Sequence, residues 1–385
     1  MLQKLGFLFF VLRKWVPRYL AACRHPRPRP AHVMFCMVDH FEPGADGVTR
    51  DVEKERMGAL LSQYPRLVDT HADAYGNWPK RTWFFPPHYH RFGNLKDLVS
   101  LCEQGYGEVE LHLHHGKSKP DTAENLERTI RLCIEEYSQF GVFGTEQDRK
   151  RYAFIHGDWA LNNSRKNQQY CGVDNELHVL KKTGCYADFT FPSCNESNPM
   201  QINSIYYAQE NAGPKAHNRG NPVRANRGPG KGLLIVQGPL HPLFLEGRAF
   251  GLRAFGDDIA LGKPGSAQRV DLWIKTWIHV QGKRDWVFVK VHTHGVEDAE
   301  VVLGADMDES FGYMEDEYND GGDYVLHYVT ARELYNIVKA AEAGEAGDPE
   351  QYRDFRVSRP SYDSSPKISE ASDELRNAVY ETYTD

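Results

Sequence analysis

The sequence predicts an α/β fold in which parallel strands alternate with helices. Two observations carry this expectation. Short apolar runs alternate along the chain with stretches of helical periodicity, the pattern of parallel β/α units. Three of the apolar runs end in histidines and carboxylates that are far apart in sequence. Barrel enzymes gather one site in this way, at the C-terminal ends of their strands. At 385 residues the chain can bury one barrel-sized core with extensions.

Residues 1–30 read as a basic amphipathic segment and linker, 31–345 as the barrel domain, and 346–385 as an acidic, polar C-terminal extension. The first 30 residues carry seven Lys or Arg and no acid, so of the net charge of −7 the rest of the chain carries −14. Leu5-Gly-Phe-Leu-Phe-Phe-Val-Leu12 is too short to span a bilayer. Leu2, Leu5, Phe9, Leu12, Val16 and Leu20 fall on one helical face. This fits reversible contact of residues 1–22 with an anionic membrane surface; a helix packed on the domain is the alternative. Leu20-Ala-Ala-Cys23 has the form of a lipoprotein cleavage box, but charges stand between it and the apolar run. The expected location is therefore the cytoplasm or the cytoplasmic membrane surface, rather than a secreted or lipoprotein form. Arg24-His-Pro-Arg-Pro-Arg-Pro30 follows as a stiff linker.

Within the domain, strands are expected at 33–38, 82–86, 108–113, 152–155, 186–191, 233–236 and 286–291. A polar helix is expected over 50–73. Asn94 is expected to cap a helix over 95–104 that Gly105 stops. Asp121 and Glu124 open the next helix, with Leu126, Ile130, Cys133, Ile134 and Tyr137 on one face. Thr330 and Glu333 form a capping box for a helix over 331–343, stopped by Gly344. Residues 211–232, rich in Gly, Asn, Pro and basic side chains, read as a surface loop or a basic lid. The tail beyond 345 reads as solvated, with one short helix near 373–380.

The negative charge argues against a nucleic-acid partner. The seven cysteines show no CxxC spacing, and several sit inside apolar patterns as small buried hydrophobes in a reducing compartment.

The chemistry is concentrated at the strand ends. Side chains alternate along a strand, so His112 and His114 share a face, as do His292 and His294. Asp39, His40 and Glu42 close the first strand. Imidazole is the commonest metal ligand and the usual acid or base near neutral pH.

The order of these motifs resembles the polysaccharide deacetylases of the NodB-homology type, carbohydrate esterase family 4, over residues 33–295. Met37-Val-Asp-His-Phe41 stands at the place of the family's Thr-Phe-Asp-Asp-Gly. Arg81-Thr-Trp-Phe-Phe-Pro86 resembles its second strand, and Gly107-Glu-Val-Glu-Leu-His112 its histidine motif. Asp188-Phe-Thr-Phe-Pro-Ser193 and Val289-Lys-Val-His292 resemble its later elements.

The resemblance implies an irregular (β/α)7 barrel and a metal-dependent hydrolase that removes acetyl groups from a saccharide. It implies one divalent ion, zinc in most of the family, held here by His40, His112 and His114. Asp39 would be the general base and His292 the acid, supported by His294. Asp158 and Trp159, with His88 at the rim, are the expected substrate contacts. The chain departs from the pattern in three places. His40 replaces the family's liganding Asp. Gly116 stands where the second His of a His-x3-His pair belongs. Gly157-Asp-Trp replaces the Arg-x-Pro segment. Glu42 or His115 could therefore substitute as ligands, and the substrate could be a different amide. A metal-free saccharide-binding component is the reading from outside enzymology.

Overall fold

A computed structural model describes residues 13, 15–23, 27–88, 91–193, 196–210, 213–244 and 252–383. The apolar run of the expected membrane anchor lies outside them. Among the described residues, a helix, α1 (Val16–Cys23), precedes the domain. Among the described residues, no helix is long and apolar enough to cross a membrane.

The first strand, β1 (Ala31–His40), is continuously apolar from Val33 to Val38 and almost wholly buried, as suits a strand covered on both faces. It is followed by β2 (Arg81–Phe85), β3 (Gly107–Leu113), β4 (Tyr152–His156), β5 (Cys185–Asp188), β6 (Ile205–Ala208), β7 (Gly220–Pro222), β8 (Leu233–Val236), β9 (Trp286–Thr293) and β10 (Tyr324–Tyr328). These form one ten-stranded sheet in the order β9-β1-β2-β3-β4-β5-β8-β6-β7, with β10 also pairing β1. All pairings are parallel except β8–β6 and β6–β7.

The mixed α/β class is therefore as expected. The sheet carries ten strands rather than seven, and no ladder joins β7 to β9 to close it among the described residues. The expected loop at 211–232 contributes β7, an added edge strand, instead of remaining irregular.

Strand parity sorts the core. Phe35 and Met37 of β1, Val109 and Leu111 of β3, and Val289 and Val291 of β9 face the helix layer. That layer includes α2 (Arg50–Val68), α3 (Phe92–Glu103), α4 (Ala123–Tyr137), α5 (Glu176–Thr183), α6 (Ala267–Lys275), α7 (Ala299–Val302) and α8 (Ala305–Tyr318). Cys36, Val38 and Phe288 face the other way. That side also holds charge. Arg332 of α9 (Ala331–Ala343) binds both Glu108 carboxylate oxygens, at 2.8 and 3.1 Å, and Tyr186 hydrogen-bonds Glu110.

The capping box at Thr330 and Glu333 forms as expected. Two other caps move by short steps. Thr122, not Asp121, caps α4, because its hydroxyl accepts from the Asn125 amide. Asn94 lies inside α3 and donates to Glu53 instead of capping.

The tail is not a solvated extension. Its helix α10 (Asp373–Tyr380) forms where expected, but Val357, Leu375, Ala378 and Tyr383 are buried. Arg353 reaches Glu333 at 2.8 Å and Asp73 at 3.3 Å, while Thr382 accepts from the Gly116 amide. Its apolar residues are spaced singly among charges, so composition alone hides the buried face.

Candidate metal centre

The C-terminal ends of β1, β3, β4 and β9 meet at one mouth. His40 ends β1. Its ring centroid lies 5.1 Å from that of His112, 5.3 Å from His292 and 4.8 Å from His294. His112 and His114 share a face, as strand alternation requires, with their Nε2 atoms 3.2 Å apart. Glu42, two residues beyond β1, turns into the same space. Its Oε1 lies 2.9 Å from His114 Nε2, 3.7 Å from His88 and 3.9 Å from His112.

Two sets of ligand atoms result, each lying within 4.8 Å of one another: His40, His292 and His294, and Glu42, His88 and His114. Either could hold a metal ion. The expected trio of His40, His112 and His114 is thus divided between two neighbouring groups, with His112 between them.

The surroundings orient these rings. His112 Nδ1 donates to the Ile155 carbonyl at 2.8 Å, which leaves its Nε2 facing the mouth. His292 Nδ1 lies 3.0 Å from Asp257 Oδ1, and the buried Lys290 ammonium donates to the other Asp257 oxygen at 2.7 Å. A carboxylate on the far nitrogen of an imidazole fixes its tautomer and raises its basicity as a ligand. Burial and then its histidine neighbours hold His40 well below the usual imidazole range. The same two causes bring His112 to about 3 and His294 to about 4. Neutral imidazole is the form that binds metal.

His114 is the exception. Burial opposes its charge, but Glu42 and Asp158 outweigh burial and raise it to about 10. Glu42 is held well below the usual carboxylate range; burial opposes this, and His114 prevails.

Asp39 stands apart from the histidines. It is adjacent to His40 in an extended strand, so it faces the helix layer. Arg81 Nη1 donates to one of its oxygens at 3.2 Å and the Gly295 amide to the other at 2.5 Å, while Arg81 also stacks over Tyr64. Burial pushes the Asp39 carboxyl up, and Arg81, the Gly295 amide and Thr293 pull against it. In this position it fixes the turn after β9, from which His294 projects.

Asp158 and Trp159 do reach the mouth. Both adopt left-handed backbone, with φ of 55° and 51°. Such conformations in non-glycine residues gather at functional sites. Asp158 Oδ2 lies 3.0 Å from His114 Nδ1. Gly157 makes the approach possible, because a Cβ there would sit 2.3 Å from the His114 ring. The Trp159 indole lies about 6 Å from His40, His292 and His294. Two clefts of about 250 and 320 Å³ share Trp159 and His294 on their walls. His88 is not at the rim; it is buried between Glu42, His114 and Tyr383. His115 points away into a separate buried group with Glu176 and His156.

The sequence reading missed Asp257. It lies in a glycine-flanked segment without periodicity, and its partners His292 and Lys290 are known only from the fold. In comparisons with known proteins, no family model matches the chain and no curated protein matches it.

Proposed function

We propose that the protein is a metal-dependent hydrolase that removes acetyl groups from a saccharide, with its site at the C-terminal mouth of a barrel-like sheet. The observation that carries this reading is the convergence of His40, His292 and His294 beside the Glu42–His114–Asp158 chain.

His40, His292 and His294 would hold the ion, and a nitrogen-rich set favours zinc among abundant divalent metals. A divalent ion so held polarises a carbonyl and lowers the pKa of bound water. Glu42 Oε1, ionised beside His114, is the proton acceptor. His114, held at Nδ1 by Asp158 and at Nε2 by Glu42, carries the proton that a leaving nitrogen or oxygen needs. Trp159 supplies a flat wall for a sugar ring. Asp39 acts as a positioning group, a change from the role that the resemblance implies, and His292 moves from acid to ligand.

The two clefts, which flank Trp159 and His294, favour an extended substrate. A second reading, hydrolysis of another amide, rests on the lining: besides the histidines, Trp159 is the one aromatic side chain among these residues.

The test is turnover on acetylated oligosaccharides of increasing length, with elemental analysis of chelator-free protein. We expect kcat/KM to rise with length, and Glu42→Gln to lose roughly 10²–10⁴ in turnover with metal retained. Activity on small amides alone selects the second reading. A chain without metal at the mouth refutes both.

A further inference from the structure

We infer that His115, His156, Cys171 and Glu176 form a second, wholly buried divalent-metal site, which pins the irregular loop between β4 and α5. It is separate from the mouth and does not depend on the hydrolase reading.

The four residues come from four places in the chain. His115 follows β3, His156 ends β4, Cys171 lies in the loop, and Glu176 opens α5. His156, Cys171 and Glu176 are fully buried, His115 nearly so, and one ligand atom from each lies within 4.8 Å of the others. Ligand atoms around a tetrahedral zinc, at ~2.0–2.3 Å from the ion, lie roughly 3.3–3.8 Å apart. Glu176 Oε1 is 3.1 Å from His115 Nε2 and 3.4 Å from His156 Nε2, and Glu176 Oε2 is 3.3 Å from Cys171 Sγ.

The orientation of His156 is the second, independent observation. Its Nδ1 donates to the Gly157 carbonyl at 2.6 Å, so Nδ1 holds the proton of a neutral ring. Its buried Nε2 has no hydrogen-bond partner and is aimed at the Glu176 carboxylate. A lone pair directed at an anionic oxygen is the arrangement that an ion seated between them, in place of the proton on His115 Nε2, would satisfy.

The outer contacts match those of a metal site. His115 Nδ1 lies 3.0 Å from Asp121 Oδ2, the carboxylate–histidine arrangement that orients a ligand. The backbone amides of Asn163 and Val173 donate to Cys171 Sγ at 3.2 and 3.4 Å, which suits a thiolate. A divalent ion with one thiolate, one carboxylate and two neutral imidazoles makes a neutral buried unit. Two protons leave to solvent when the ion enters: that of the Cys171 thiol, and the one that Glu176 holds on His115 Nε2, whose lone pair the ion then takes.

The loop gives the site its purpose. It has almost no regular structure, and Asp158, Trp159, Asn162 and Asn163 all have φ between 51° and 55°. Surroundings must over-determine such backbone. The Cys171 segment docks tightly against the end of β3: a Cβ on Gly116 would sit 2.2 Å from the Cys171 carbonyl oxygen.

The sulfur distinguishes this site, because among the described residues the mouth has none. Full-length protein stripped of metal is titrated with cobalt(II). We expect two ions per chain and a thiolate-to-cobalt charge-transfer band that vanishes in Cys171→Ser and persists in His294→Ala. Should Cys171→Ser fail to fold, zinc-edge absorption on the wild type reads the same ligand as a zinc–sulfur distance of ~2.3 Å. Cobalt bound without the band, zinc bound without sulfur, or no metal at all overturns the inference. One ion with sulfur supports it and removes the hydrolase reading, whereas one ion without sulfur does the reverse.

Discussion

Replacing Asp39 by Asn separates the role that the fold gives this residue from the role implied by the deacetylase resemblance. Asp39 and Arg81 are wholly buried and 3.2 Å apart. Unit charges at that distance attract by roughly 5 kcal/mol at an effective dielectric of ~20. The substitution preserves shape and an acceptor for the Gly295 amide but leaves a buried guanidinium uncompensated. Removing one partner of a buried pair costs about 3–5 kcal/mol, a large part of a total stability of about 5–15 kcal/mol. The urea midpoint of Asp39→Asn should therefore fall steeply, and that of Arg81→Met similarly. The double variant should lose about 1–3 kcal/mol less than the sum of the two single changes. Turnover per folded, metal-loaded molecule should change little. A variant that unfolds like the wild type but has lost roughly 10²–10⁴ in turnover would restore Asp39 as the base and refute the argument.

Three further outcomes follow from named contacts. Asp257→Asn should weaken metal binding at the mouth about 10–100-fold, since Asp257 orients His292, and competition with a chromogenic chelator measures this; unchanged affinity detaches Asp257 from the site. Burial alone would raise the Glu333 carboxyl, but Lys80, Arg353 and Arg332 hold it well below its usual range. Its contribution to stability is thus present above the ordinary glutamate pKa of ~4.3 and is lost as pH falls below it. Glu333→Gln should flatten that acid limb in urea midpoints measured from pH 7 to 3; an identical limb means that other carboxylates set it. Ending the chain at residue 345 removes Val357, Leu375, Val379 and Tyr383 from the core. At ~1.5–3 kcal/mol each, this is on the order of 6–12 kcal/mol, enough to unfold the domain; a soluble truncated chain with native near-ultraviolet circular dichroism contradicts it.

Much of the scaffold was legible because buried parallel strands leave strong signals. All seven expected strands exist, and the shared faces of His112 with His114 and of His292 with His294 follow from alternation. The same rule contains the signal that Asp39 and His40 must face opposite ways, and the family pattern obscured it. The short strands β6 and, at the sheet edge, β7 are too brief to show a period. The tail hid its buried side chains among charges. Glu176, His156 and Cys171 are ordinary residues in sequence and acquire meaning only when β3, β4 and the loop converge.

His114 and His115 are neighbours in the chain, yet the first faces the mouth beside Glu42 and the second the buried group beside Glu176. The loop makes the same division, with Asp158 on one side and Cys171 on the other. The two groups share adjacent residues at His114 and His115, and one loop, residues 158–171, runs between Asp158 and Cys171. By thermodynamic reciprocity, whatever filling one group does to the affinity of the other is the same factor in both directions. Filling the two proposed centres in either order should give the same product of affinities.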